Sequence, residues 1–543
     1  MQLNFATQAY QSRSLPVSAQ QCINMYAVAA PKDAKAEIPV YGCPGLTLFA
    51  TCGAGPIYDM RIVVGVLYAV TGSGIWKISA GGAATNVAPF APAKRPGVSN
   101  NDTQILVVDG TNGWVYAPTG IPNTVATTAV GGATTIAVTS IAGMSSGDPI
   151  SIQLDSGITF ATTISSAPSS GNVPLTLPLP SQASAGNQVL DANFTLTSLA
   201  SNTAFYPANT AAYYDTYFAL DRAGTNFFFL SGLDDGTSYN GLDIASAEED
   251  PDIVMSMATI HEQLVIFGAQ TTEFWYDVGG SNFPLQPIPG TLLQRGIAAP
   301  LAFCKEDNTL FFLGDDLIYY RIVNFAITRV SQDGVEAAWE GYSTTSDAFC
   351  FAYTLGGHKF VNVVFPTVGV CWVFDIATGL WHERVSWDAN NAPLPRWRGN
   401  CAVQAFGMVL IGDAFTGQIG IADYGNYTEY GNTMQALITS PPIHSDNDRV
   451  FMSLFEVYPE AGVGLSAGQG SNPQIVLDWS DDGGRTFGPT QLFRSLGEIG
   501  QYKQRVRWTK LGQFRNRVLR LTITDPVKRA LIGFYADLKV GMK

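Results

Sequence analysis

The sequence predicts an all-β protein: a β-propeller of about six blades, with an inserted small β-barrel or sandwich domain and a C-terminal β-sandwich. Three observations predict it. A hairpin of apolar strand, Gly-containing turn and aromatic or apolar strand returns along the chain. Helical apolar periodicity is scarce. Gly (55) and Pro (30), with abundant Ala, Ser and Thr, suit many short strands joined by tight turns. The hairpins are LYAVTGSGIWKI (67–78), ILVVDGTNGWVY (105–116), YFALDRAGTNFFFL (217–230), LVIFGAQTTEFWYD (264–277), LFFLGDDLIYYRI (310–322), CWVFDIATGLWHER (371–384) and VLIGDAFTGQIGIAD (409–423). Their turn glycines fall near Gly72, Gly113, Gly224, Gly268, Gly314, Gly379 and Gly417. Most gaps are about 40–45 residues, the length of a propeller blade. One longer gap holds a second hairpin, FAYTLGGHKFVNVVF (351–365), which would complete a four-stranded blade; the other holds an insertion.

In chain order, residues 1–45 form an arm and loop, 46–123 and 201–430 the propeller, 124–200 the inserted domain and 431–543 the sandwich. The arm mixes Leu3, Phe5, Tyr10, Leu15, Ile23 and Tyr26 with few charges and no period. Left free it would waste that apolar surface, so it is expected to pack on the propeller or a neighbouring copy. The insertion has no Trp, Tyr, Lys or Arg; TTIAVTS, DPISIQL, TFATTISS and VPLTLPL alternate as half-buried strands. Beyond the joint at Pro441-Pro442, FMSLFEVYP, QIVLDWSDDGGRTF, KQRVRWTKL, RVLRLTIT and IGFYADLKV read as five sandwich strands.

Composition narrows the function. Charged residues are 14%, against a usual ~25%. No apolar run reaches the ~18 residues of a membrane span, and the N-terminus lacks the pattern of a secretory signal. The seven cysteines (22, 43, 52, 304, 350, 371 and 401) contain no C-x-x-C pair and are expected reduced and mostly buried in a cytosolic product. Net charge is −14, unevenly placed: residues 446–543 hold 14 Lys and Arg against 10 Asp and Glu, leaving −18 on the rest. An acidic body disfavours tight nucleic-acid binding, which relies on cationic contacts to phosphate.

Candidate chemistry is thin. His261, His358, His382 and His444 lack metal-ligand spacing, and no nucleophile elbow, Walker loop or dinucleotide fingerprint stands in its required context. The cluster Glu248-Glu249-Asp250-Pro251-Asp252 reads as a cation site or as an exposed acidic turn. No catalytic residue, cofactor or metal is expected. Ser480, Asp482, Gly484, Thr486 and Phe487 match the Asp-box S-x-D-x-G-x-T-[WF], a hairpin staple in which the carboxylate accepts backbone N–H groups and the aromatic plugs the core. Lys503, Arg505 and Arg507 alternate, opposite Val506 and Trp508, and Arg515 and Arg517 repeat the pattern on the next strand. These five are the candidate partner-binding residues. They form either a basic ribbon meeting an acidic neighbour or DNA, or a solvated sheet face.

Three segments carry a resemblance. Tyr10-x-x-x-Ser14, then Gln20-Gln21-Cys22-Ile23-Asn24-Met25-Tyr26 and Cys43-Pro44-Gly45-Leu46, open the chain. Leu293-Gln294-Arg295-Gly296-Ile297-Ala298 with Phe303-Cys304 stands in its middle, and Arg505-Val506-Arg507-Trp508-x-x-Leu511-Gly512 with Arg517 near its end. In this order, with propeller repeats between, the chain resembles the packaged-DNA stabilisation, or tail hub and nozzle, proteins of short-tailed bacteriophages. The resemblance covers most of the chain except 124–200. It implies a non-enzymatic virion protein of the tail, assembled in the host cytoplasm. It also implies a homo-oligomeric ring, typically a hexamer, below the head–tail adaptor, which continues the DNA channel, helps retain packaged DNA and docks tail fibres or spikes. DNA would pass without specific binding, repelled by an acidic lumen. Two rivals remain at this stage: a sialidase-like propeller glycosidase, which needs two carboxylates about 5–10 Å apart, and a host-surface adhesin.

Overall fold

The computed structural model describes every residue except 1–2, 4, 6–8, 32–37, 119–122, 142–143, 192–193, 248–251, 281–282, 447 and 542–543. It divides into two compact units, Tyr58–Leu292 and Met1–Ile57 with Leu293–Lys543. Both are almost wholly β; the α-helix among the described residues is Asp333–Glu340.

The hairpins fold as four-stranded antiparallel meanders. The first holds Ile57–Val63, Val66–Thr71, Gly74–Ile78 and Ala84–Ala88. The third runs from Ala211–Tyr214 to Asp235–Ser246, the fourth from Val254–Ile260 to Leu285–Pro287 and the fifth from Phe303–Glu306 to Ala326–Arg329. The sixth joins both hairpins of 351–384: Phe349–Leu355, His358–Phe365, Val370–Asp375 and Leu380–Glu383. Two meanders borrow a strand from afar. The second pairs Gly97–Asn100, Ile105–Val108 and Gly113–Pro118 with Phe194–Ser198, beyond the insertion. The seventh pairs Gly399–Ala405, Met408–Asp413 and Gln418–Asp423 with Gly45–Thr51 from the start of the chain. Each of the seven turn glycines thus belongs to a sheet of its own, which takes the expected six or so blades to seven sheets among the described residues.

Central strands such as Ile105–Val108 and Thr309–Leu313 are buried along their whole length, so their sequences are continuous apolar runs. At several hairpins an aspartate buried to about 1% exposure or less closes the turn or, as Asp221 does, caps the start of the neighbouring strand. Asp109 accepts from Thr111 and Asn112 N–H (3.0 and 2.7 Å), Asp221 from Asn209 and Thr210 N–H (3.0 and 2.6 Å), and Asp413 from Phe415 and Thr416 N–H (2.7 and 3.0 Å). Asp375 accepts from Ala377 N–H and Thr378 Oγ1. Amides that the ladder leaves over are satisfied by these carboxylates rather than by water.

The insertion is a six-stranded sheet with a core of its own, including Val125, Ile136, Ile150, Ile152, Val173 and Val189. Its far boundary differs from the expected residue 200. Phe194 stacks on Tyr116 (5.2 Å) in the core of the first and second sheets, so 194–198 belong to a blade.

The C-terminal region contains all five expected strands, in two sheets: Val450–Pro459, Val506–Thr509 and Ala530–Val540 in one, Gln474–Ser480 and Asn516–Ile523 in the other. Phe455, Val457, Ile475, Leu477, Trp508 and Leu521, all about 1% exposed or less, belong to the buried interior.

Candidate functional site

The arm packs on its own chain. Phe5, 3% exposed, stacks on Phe534 (4.4 Å) and Phe455 (5.9 Å), and Leu3 N–H donates to the Phe534 carbonyl (2.9 Å). Cys22–Ile23 then enters a sheet between two others: Ile23 pairs in parallel with Glu383 of the sixth meander, and Cys22 and Ile23 pair with Ile438 and Leu437 of the sandwich. Meander and sandwich sheet become one sheet through this two-residue splice. Asn24 fixes the splice. It sits in left-handed conformation (φ 54°), fully buried, and its side chain donates to the carbonyls of Val385 (2.8 Å) and Gln435 (2.7 Å) and accepts from Val385 N–H (3.2 Å). Asn tolerates that backbone better than most residues, and its amide supplies both donor and acceptor. Met25–Ala27 and Val40–Gly42 continue into the other sandwich sheet, where Val40 pairs with Leu531.

Beside the splice lies a charged centre out of water. Glu429, 0% exposed, accepts from Trp397 Nε1 (2.8 Å), Ser386 Oγ (2.5 Å), Arg384 Nη2 and Arg398 Nε (both 3.3 Å). Arg398 also reaches Asp413 (2.8 Å), and Arg384 reaches the Pro44 carbonyl (2.9 Å) while its guanidinium covers the Trp397 ring at 3.9 Å. Burial pushes the Asp413 carboxyl up, against the opposing pull of Arg398. Four stretches remote in sequence, around 44, 384–386, 396–398 and 429, are thereby locked together. These residues belong to no motif; Arg396-Trp397-Arg398 in an apolar, charge-poor chain is the signal the sequence offers.

The basic candidates separate. Val506 and Trp508 are buried and Arg505 and Arg507 exposed, as the alternation predicts, with Trp508 Nε1 donating to the Leu492 carbonyl (3.0 Å). Lys503 is exposed but lies in a turn before the strand. Arg505 grips Glu456 of the same sheet through two bonds of 2.7 Å. Arg515 is exposed, whereas Arg517 is not on the basic face: its side chain is 3% exposed. It makes two bonds to Asp481 (2.6 and 2.7 Å), donates to the Leu511 carbonyl (2.5 Å) and lies 4.3 Å from the Phe514 ring centre. Gln513–Phe514 pairs with Val450–Pro459 in one sheet and Asn516–Ile523 with Gln474–Ser480 in the other, so Arg515 lies between two strands and does not share a face with Arg517, which is buried on the second.

The Asp-box folds as a staple. Asp482 accepts from Arg485 N–H (2.9 Å), Thr486 N–H (3.0 Å) and Thr486 Oγ1 (2.5 Å), and Gly484 N–H donates to Ser480 Oγ (2.9 Å). Those bonds, the Ser480 hydroxyl first, hold the Asp482 carboxyl well below the usual carboxylate range. Phe487 departs from expectation: it is half-buried, not a core plug, and carries the Arg520 guanidinium at 3.9 Å. A Cβ on Gly484 (φ 88°) would collide with Ala19, and one on Gly483 would come within 3.0 Å of Pro16, so the arm rests on the staple.

The remaining candidates are structural in their contacts. His358 Nδ1 lies 2.8 Å from Asp375, and burial takes the His382 imidazole down to about 3. Asp252 accepts from Gln270 and Thr271 N–H (2.6 and 2.9 Å), as a hairpin cap; residues 248–251 of that cluster lie outside the described residues. Six of the seven cysteines are buried and the seventh, Cys350, is half-buried; burial raises the thiols of Cys52, Cys304 and Cys371 to about 12. Among the described residues no group of three or more His, Cys, Asp or Glu is placed to hold a metal ion, and no helix is long and apolar enough to cross a membrane. A cavity of 410 Å³ opens beside the splice, lined by Tyr26, Tyr41, His358, Tyr424, Lys528 and Arg529 among others. The carboxylate in its lining is Glu460, held by Lys528 Nζ at 2.8 Å, so this cavity lacks the carboxylate pair of a glycosidase.

Comparison with known proteins adds a lineage to this geometry. Residues 160–426 match the family model described as Bacteriophage P22 Gp10, beta-propeller, and residues 435–539 match Bacteriophage P22 Gp10, beta-sandwich. The tail hub protein gp10 of Salmonella phage P22 is 22% identical over 328 residues, 57% of this chain and 66% of that protein, a little under two thirds of its length. Among solved structures, the Pan2 WD40 domain of Neurospora crassa is 7% identical with a TM-score of 0.34, covering 70% of this chain and 94% of that one. BamB of Moraxella catarrhalis is 9% identical with a TM-score of 0.28, covering 69% and 97%. Both scores are too low to speak for a shared overall structure. The two domain models of one family match in chain order, adjoin at the joint near residue 430 and together take in more than half of the sequence: the chain belongs to the packaged-DNA stabilisation, or tail hub, family of short-tailed bacteriophages.

Proposed function

We propose that this chain is a structural, non-enzymatic tail hub: a homo-oligomeric ring, with six copies, that extends the DNA channel below the head–tail adaptor, helps retain packaged DNA and docks tail fibres or spikes. The observation that carries the reading is the succession of propeller and sandwich matches to one tail hub family. The architecture supports it. A part that must hold against the pressure of packaged DNA profits from cross-links between remote segments, and the Cys22–Ile23 splice and the Glu429 centre provide them. The charge distribution also fits. A body of −18 repels DNA, so the polymer slides without sticking, while the C-terminal +4 offers a complementary surface to an acidic neighbour. Cryo-electron microscopy of the virion tests this directly. Six copies in a ring around the DNA path are expected; one or three copies per tail would overturn the hexamer, and a position away from the channel would overturn the hub. Particles lacking the protein should package DNA and then lose it.

A further inference from the structure

The outer strand of the third meander, Asp235–Ser246, carries an Asn-Gly pair at residues 240–241. Against Phe227–Gly232 its register runs Gly232 to Asp235, Ser231 to Tyr239, then Phe229 to Ile244. Residues 240–243 therefore bulge from the ladder with no cross-strand partner. Asn240 and Gly241 are exposed, and Leu242 is 82% exposed. Leu242 N–H donates to Asn240 Oδ1 at 3.2 Å, which curls the side-chain amide back over the peptide that follows it. The same N–H would steady negative charge on Oδ1 if a nucleophile added to Cγ. At Gly241 nothing lies within 4 Å of the Cβ position, so the space beside this exposed residue is open.

We propose that Asn240 is a site of spontaneous modification by water, deamidation through a cyclic imide. The Gly241 nitrogen gives its proton to hydroxide and bonds to Asn240 Cγ; the side-chain nitrogen takes up a proton and leaves as ammonia. Water then opens the imide on either side. Opening at Cγ yields aspartate. Opening at the main-chain carbonyl yields isoaspartate, with the backbone rerouted through the former side chain. One water enters, one ammonia leaves, and nothing is oxidised or reduced. Either product adds a negative charge three residues from Asp243, and the extra backbone atom of isoaspartate falls in the bulge, between the paired residues Tyr239 and Ile244.

The chain holds a second Asn-Gly pair as an internal control, at residues 112–113. There Asn112 N–H donates to Asp109 Oδ1 (2.7 Å) and the Asn112 carbonyl accepts from Asp109 N–H (3.1 Å). Gly113 is buried, pairs with Val108 in the ladder, and has Phe205 and Leu199 against its Cβ position. Its nitrogen is fixed and covered, so Asn112 stays intact while the fold persists.

The test is peptide mapping by mass spectrometry of the full-length protein after incubation at mildly alkaline pH, beside a free peptide of residues 236–246. Conversion at Asn240 is expected within about tenfold of the free peptide, a barrier difference of about 1.4 kcal/mol. It should yield both aspartate and isoaspartate, be lost in Gly241→Val and leave Asn112 unchanged. An intact Asn240 under conditions that convert the peptide would overturn the proposal. Aspartate without isoaspartate would overturn the imide route, and conversion at Asn112 equal to that at Asn240 would overturn the structural basis given for the choice.

Discussion

Glu429 shows at the scale of one residue why buried charge is a hazard as well as a lock. Its two arginine partners are out of water, so neutralising the carboxylate strips Arg384 of its carboxylate and leaves Arg398 with Asp413 alone. Glu429→Gln is expected to cost about 3–5 kcal/mol, read as a lowered urea midpoint; a loss below about 1 kcal/mol, the worth of an exposed pair, would show that the centre is solvated. Arg517 and Arg505 make the same contrast on the sandwich. Both grip a carboxylate with two bonds, yet Arg517 is buried and Arg505 is half in water, so Arg517→Ala should unfold the sandwich well before Arg505→Ala does. Asp221 gives a pH signature. Burial raises its carboxyl to about 6, against hydrogen bonds from Asn209 and Thr210 that lower it. In the unfolded chain it titrates near 3.9. Between these values the folded state holds the proton and the unfolded state has released it, so stability falls as pH rises from about 4 to about 6 and is level above. The fall is about 3 kcal/mol, and Asp221→Asn should abolish it in a pH series of urea titrations. Glu429 and Asp221 carry no sequence signal of their own, and Arg517 reads in sequence as part of a basic face, because a charged residue looks solvated until its neighbours from remote stretches are known.

At the scale of elements, strands were legible and edges were not. All eight hairpins and the five sandwich strands stand where alternation and turn glycines place them, because a period of two is imposed by the pleat itself. The end of the insertion was hidden, since FTLTS has the same Thr-rich texture as the domain before it while pairing with Gly113–Pro118. Arg515 and Arg517 alternate in sequence but do not share a strand, because the chain changes sheets between Phe514 and Asn516. The arm was read as sticky, but its partner was not foreseeable from either stretch alone. Its anchoring gives a prediction: Phe5→Ala removes a stacked ring from a closed site and should cost about 3–5 kcal/mol, seen as earlier unfolding of the sandwich. The insertion gives the opposite one. With its own core, replacing 124–191 by a short linker should leave the remaining sheets folded, with unchanged protease resistance outside the cut; global unfolding would show that its core supports the blades.

At the scale of the whole molecule, the family likeness and the charge distribution bear on association. Arg505 is committed to the buried Glu456, whereas Lys503 and Arg507 are exposed cations of the predicted face. Changing both to Ser should weaken association with neighbouring tail subunits and flatten its salt dependence, with the thermal transition unmoved; identical salt titrations would reduce the stretch to a solvated face. The seventh meander has a consequence of another kind, in time rather than in energy. Its fourth strand, Gly45–Thr51, leaves the ribosome long before its partner Gln418–Asp423. At roughly 5–20 residues per second, the early strand waits on the order of 20–70 s with its backbone unpaired. Half-made chains must therefore be kept from one another during translation, and a product truncated before residue 418 would carry that open strand for good.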